Sequence, residues 1–162
     1  MFCVSGPAWL GSMLGHLATM RSRKLIIITA LVAVALAAGV YATGRAKRFA
    51  QSMSCGNYMC SICFAARSWA FDNNGKMPSD FVSMSNELAT PPVLICGADH
   101  SRRAPPNWAS FTPDQSSYEI VGVNLRDSDT NGIFLRCRIH KNHIGYADGT
   151  VYDGIRRRTK FP

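Results

Sequence analysis

The chain has 162 residues and a net charge of +8, enough for one domain of about 120 residues beyond an apolar N-terminal run. Its basic excess is local, at Arg45, Lys47 and Arg48 and again at Arg156, Arg157, Arg158 and Lys160. No basic stripe is interleaved with aromatics, so composition argues against nucleic acid as a partner.

The first nineteen residues carry no acid or base except His16 and show no convincing period. Met20 is followed by Arg21, Arg23, Lys24 and then an apolar run, the usual opening of an export or anchor segment, which makes Met20 a candidate true start. Residues 1–24 read as a cytoplasmic N-terminal segment. Leu25 to Ala42 is uncharged for 18 residues, which at 1.5 Å per residue spans about 27 Å, the thickness of a bilayer's hydrocarbon core. A transmembrane anchor over 25–42 is the expectation, with cleavage of a signal peptide after Ala42 as the alternative. Charge alone does not orient the segment, because three bases precede it and three follow closely. The five cysteines beyond it point to an oxidising, extracytoplasmic side, hence to a single-pass inner-membrane protein.

Residues 43–155 read as the extracytoplasmic domain and 156–162 as a basic tail. Phe49, Met53, Cys60 and Cys63 or Phe64 recur at helical spacing, which predicts that the helix leaving the membrane continues outside it and covers a sheet through some of Phe49, Met53, Cys60, Phe64 and Trp69. Asn73, Asn74 and Gly75 end that helix and Pro78 forbids its resumption. A short helix is expected in Ser79–Thr90, with Ser79 as N-cap. Beyond the Pro91-Pro92 break, Val93–Cys96 reads as a strand, and Ala98–Ser117 as a loop carrying Trp108, a candidate binding residue. Tyr118–Leu125 and Ile133–Ile139 read as strands, and Asp148-Gly149 is a hairpin turn between Gly145–Ala147 and Thr150–Tyr152. The sum is an α+β fold, one long helix packed by an antiparallel sheet of three or four strands.

Three of these stretches, RAKRFAQSMSCGNYMCSICFAARSWAFDNNGKMP, PPVLICGADHSR and HIGYADGTVYDG, resemble the pseudopilin-like proteins of the type II secretion and type IV pilin superfamily, of the type abundant in Planctomycetes and Verrucomicrobia. The resemblance implies a long N-terminal helix ending at Asp-Asn-Asn-Gly, a loop cysteine and an Ala-Asp-Gly hairpin closing the sheet. It also implies a non-catalytic role, as a minor component of a secretion or pilus-type machine whose partners are the membrane and other pilin-like subunits. The chain departs from the family where a Gly-Phe cleavage junction and a Glu in the apolar stretch are usual: Arg23, Lys24 and Leu25 stand there instead. The alternative is a free-standing surface binding domain, anchored or secreted.

Several groups carry candidate chemistry. Asp127-Ser128-Asp129-Thr130-Asn131-Gly132 spells the first half of a calcium loop, so Asp127, Asp129 and Asn131 are candidate calcium ligands, although Arg138 stands where an EF-hand needs its bidentate Glu. The resembled family's calcium in a loop of the C-terminal sheet adds to that expectation; a β-turn without metal is its rival. Cys55, Cys60 and Cys63 have a C-x4-C-x2-C spacing without a nearby fourth cysteine, and read as thiols of one helix rather than a cluster site. Cys96 and Cys137, 41 residues apart, are the expected disulfide, worth roughly 3–4 kcal/mol by loop entropy, with two buried thiols as the rival reading. The competing use of Cys137, His140 and His143, with Cys96 and His100, is as soft and imidazole ligands of zinc.

Overall fold

Helix α1 runs from Leu10 to Asp72 in a computed structural model that describes residues 10–122, 124–154 and 157–158, and the side chains of 25–122 and 124–154. The helix therefore begins earlier than the sequence suggests, within the stretch that shows no period; residues 1–9 lie outside those described. Contacts divide the chain into two units, Met1–Ala46 and Lys47–Pro162.

In the first unit the side chains from Leu25 onward are exposed, including Leu25, Ile26, Leu31, Val34, Leu36 and Val40. A continuous run of exposed branched apolar residues has a large transfer cost in water and none in lipid. Among the described residues, this is one helix long and apolar enough to cross a membrane.

In the second unit α1 ends as the sequence dictates. Asn74 and Gly75 take left-handed conformations, φ 57° and 75°, and the Gly75 amide donates to the Ala70 carbonyl at 2.8 Å, satisfying one of the last turn's free acceptors. The chain then enters an antiparallel meander, β1 Tyr118–Ile120, β2 Ile133–Cys137, β3 His143–Tyr146, β4 Val151–Asp153 and β5 Arg157–Arg158, paired in sequence order. The arrangement is the expected α+β one. Two residues of the basic tail, Arg157 and Arg158, pair with β4 as the short fifth strand.

Register decides what the helix meets. Tyr118 pairs with Cys137, Leu135 with Gly145, Gly145 with Val151, and His143 with Asp153. Because side chains alternate along a strand, these residues share one face, and all of them are buried. Against it α1 lays Cys55, Met59, Ile62, Cys63, Ala66 and Ala70, one stripe at i, i+4, i+7, i+8, i+11 and i+15, all 0 % exposed. Of the residues singled out by helical spacing, Cys60 and Cys63 are buried, whereas Phe49 and Phe64 are 61 % and 69 % exposed and Trp69 only borders the core. The reason is distance. A Cβ on Gly145 would lie 2.5 Å from the Cys63 sulfur, so at this point β3 approaches the helix too closely for a larger side chain at position 63.

Between helix and sheet the sequence reading needs two further corrections. Ser79 caps nothing helical; Asp80 Oδ1 accepts the Ser83 amide at 2.8 Å and Ser83 Oγ donates to the Asp80 carbonyl at 2.8 Å. This local side-chain turn displaces helix until the single turn α2, Ser85–Leu88. Pro91–Leu94 is a 3-10 turn rather than a strand, because two consecutive prolines fix φ near the helical value and remove two amides from any ladder. Phe81, Met84, Leu88 and Leu94 from this segment complete the core.

Candidate metal centre

The sulfur of Cys55 projects from the buried stripe of α1, that of Cys137 from the last residue of β2, and that of Cys96 from the loop after the Pro91–Leu94 turn. His140 sits in the β2–β3 connection and joins them. The three sulfurs and one imidazole nitrogen all lie within 4.8 Å of one another, with His140 Nδ1 3.3 Å from Cys96 Sγ and 3.8 Å from Cys137 Sγ. Cys55 and Cys96 are fully buried and Cys137 is 3 % exposed. Such a cluster of Cys and His residues can hold a metal ion.

Each donor is placed by identifiable local structure. Cys137 faces inward because Tyr118, its register partner, does. The Tyr118 hydroxyl donates to Cys55 Sγ at 3.7 Å, linking strand and helix at the site; burial, and then the proximity of Cys55, pushes this phenol well above its usual range. The Cys137-Arg138-Ile139-His140 turn folds back so that the His140 amide donates to Cys137 Sγ at 3.3 Å, a chain reversal that brings the His140 ring beside the same sulfur.

The Cys96 loop is held by one buried carboxylate. Asp99 Oδ1 accepts the Ser101 amide at 3.0 Å, the Ser101 hydroxyl at 2.7 Å and the Arg102 amide at 3.2 Å. Its Oδ2 accepts Arg102 NH1 at 2.9 Å and the Ser117 hydroxyl at 2.7 Å. Burial alone would push Asp99 up, but the hydrogen bonds from Ser101, Ser117 and Arg102 outweigh it and hold the carboxyl well below the usual range. The Asp99 amide donates to the Cys96 carbonyl at 2.8 Å, the Ser117 amide to Leu94, and the Arg138 amide to Ser117. Asp99 thus fixes the loops that carry Cys96 and Cys137 to each other.

Among the three sulfurs, Cys137 is the one that accepts hydrogen bonds from the other two. Hydrogen bonds from the Cys55 and then the Cys96 thiol hold it well below the ordinary thiol range, with help from the His140 and Ile139 amides. The same contacts, together with burial, push Cys55 and Cys96 up.

The structure sorts the residues singled out from sequence. Cys96 and Cys137, the expected disulfide, come together but as free thiols rather than a bridge. Of the alternative zinc set, His140 joins them. His143 instead stacks on the His140 ring at 4.7 Å and places Nε2 3.1 Å from Ser52 Oγ, and His100 is exposed. Cys55, grouped by spacing with Cys60 and Cys63, belongs to this centre, while Cys63 faces Gly145. The one signal for Cys55 in sequence is its place four residues before Met59 and eight before Cys63, on the small-residue stripe.

Calcium is not indicated at Asp127, Asp129 and Asn131. Asp129 Oδ2 accepts the Arg126 amide at 2.8 Å and closes the turn on itself, as an Asp- and Asn-rich turn does without metal. Trp108 is half-buried, edge-on to Phe111 at 5.5 Å, with its indole N–H donating to the Ala89 carbonyl at 3.2 Å. Its polar group is engaged within the fold, and the loop around it is part of the scaffold through Asp99. No family model, no curated protein and no solved structure matches this chain.

Proposed function

We propose that the chain is a non-catalytic, single-pass protein of the inner membrane whose pilin-like extracytoplasmic domain serves as a minor, pseudopilin-like component of a secretion or pilus-type system. One observation carries the reading: a single helix is apolar and exposed along Leu25–Val40 and sheet-covered along Cys55–Ala70. A helix with those two faces suits a lipid-embedded half that meets other subunits and an aqueous half that carries a domain. The order of the helix stop at Asn74-Gly75, the Cys96 loop and the Asp148-Gly149 hairpin supports the resemblance to pseudopilins.

Cross-linking in membranes followed by detergent extraction and affinity isolation of the full chain tests assembly. The reading expects other pilin-like subunits bound through the apolar segment, and loss of that capture when Val34 and Leu36 are replaced by bulkier Phe. Recovery of a monomer alone refutes it. That outcome favours the second reading, a free-standing surface domain, for which the observation is the absence of any acid from Leu25 to Ala42. In the resembled family a buried carboxylate there pairs with a neighbouring subunit's amine.

A further inference from the structure

We propose that Cys55, Cys96, Cys137 and His140 are the four ligands of one structural zinc ion that fastens the extracytoplasmic half of α1 to the sheet. Donor chemistry selects the metal class: three thiolates and an imidazole suit zinc, whereas calcium and magnesium need oxygen. Geometry selects the number. A tetrahedral ion with bonds of about 2.3 Å to sulfur and about 2.0 Å to nitrogen holds its donors roughly 3.5–3.8 Å apart. His140 Nδ1 already stands 3.3 and 3.8 Å from two sulfurs, and no pair of donor atoms exceeds 4.8 Å. The three cysteines are buried and the donor set is complete at four, with no position kept open for substrate, the pattern of a structural rather than a catalytic zinc.

The surroundings are those of charged sulfur. The His140 amide points at Cys137 Sγ at 3.3 Å and the Tyr118 hydroxyl at Cys55 Sγ at 3.7 Å, donors that orient and stabilise thiolates beside a metal. A Cys96–Cys137 disulfide would use two of the four groups and leave the buried Cys55 thiol and the half-buried His140 imidazole against neutral sulfur. Zinc uses all four. As the sulfur–zinc bonds form, any proton still carried by a cysteine passes to solvent, and His140 binds through the lone pair of Nδ1. No electrons are exchanged.

The ligands fall 41 and 41 residues apart in the chain, at 55, 96 and 137, so one ion closes two long loops and joins helix, loop and sheet. Binding is then coupled to folding of the domain.

The test uses the full chain in detergent, carrying an affinity tag without histidines. Elemental analysis should give one zinc per chain. Exchange for cobalt should give the intense thiolate-to-cobalt charge-transfer absorption and the visible bands of a tetrahedral three-thiolate site. Cys55→Ser and Cys137→Ser should weaken zinc binding by at least ~100-fold, more than loss of an outer partner does, while Cys60→Ser keeps the full zinc content. Should the ligand variants fail to fold, the cobalt spectrum of the unaltered chain still decides. Zinc-free protein whose unreduced peptides link Cys96 to Cys137 overturns the proposal, as does bound metal without thiolate charge-transfer absorption, or zinc content indifferent to Cys55→Ser.

Discussion

Gly145→Ala tests the closest approach in the fold. The added methyl would lie 2.5 Å from Cys63 Sγ and 3.1 Å from Leu135 Cβ, both inside van der Waals contact and both buried. One neighbour is on the helix and the other on the register partner of Gly145, so relief requires α1 to lift from β3 or the Cys63 side chain to turn into occupied space. Overpacking of this kind costs about 1–3 kcal/mol, and the lower entropy of an unfolded alanine offsets about 0.4–1 kcal/mol of it. With both terms at mid-range a net loss of about 1 kcal/mol remains, which for a domain near 100 residues lowers Tm by roughly 4–8 °C. Tryptophan fluorescence of the full chain in detergent follows the transition, since Trp69 and Trp108 are half-buried against the core. Adding Cys63→Ala removes the clashing sulfur, so the double variant should be more stable than the sum of its single changes predicts. A neutral Gly145→Ala, or a double variant with purely additive losses, would refute the close packing of α1 on β3.

Other outcomes follow from the same contacts. Asp99→Ala removes the acceptor of five hydrogen bonds around the Cys96 loop and leaves Arg102 without its partner at 2.9 Å; a loss of about 3 kcal/mol in denaturant titration is expected. Leu135→Ala, at a fully buried site, should cost about 2–5 kcal/mol, whereas Phe71→Ser, 85 % exposed, should change stability by less than about 0.5 kcal/mol. Gly149→Ala places a side chain at φ 85° and 2.9 Å from Arg67 Cδ, and should destabilise the hairpin by about 1 kcal/mol or more, visible as faster amide exchange in β3 and β4. Millimolar calcium should leave the melting temperature unchanged, because Asp129 already serves the Arg126 amide; a rise abolished by Asp129→Ala would restore the calcium loop.

Features set by a few neighbouring residues were legible in the sequence. The apolar run Leu25–Ala42 needs only composition, the stop at Asn74-Gly75 only the cost of φ > 0 for other residues, and the Asp148-Gly149 hairpin only its turn chemistry. Two local readings failed for equally local reasons, the Asp80 side-chain turn and the paired prolines at Pro91 and Pro92. What tertiary structure alone decided is which face of α1 is inside. Helical spacing left Cys63 and Phe64 as alternatives for the inner face; the close approach of Gly145 admits the smaller, so Cys63 turns inward with Cys55, Met59, Ile62, Ala66 and Ala70, and Phe64 outward. The candidate metal centre depends on that choice. Cys96, Cys137 and His140 had been marked by their chemistry, but Cys55 meets them only once the helix is rotated by close packing and the sheet register sets Cys137 beside Tyr118. Contacts between residues 41 or more positions apart leave no spacing for a sequence to display.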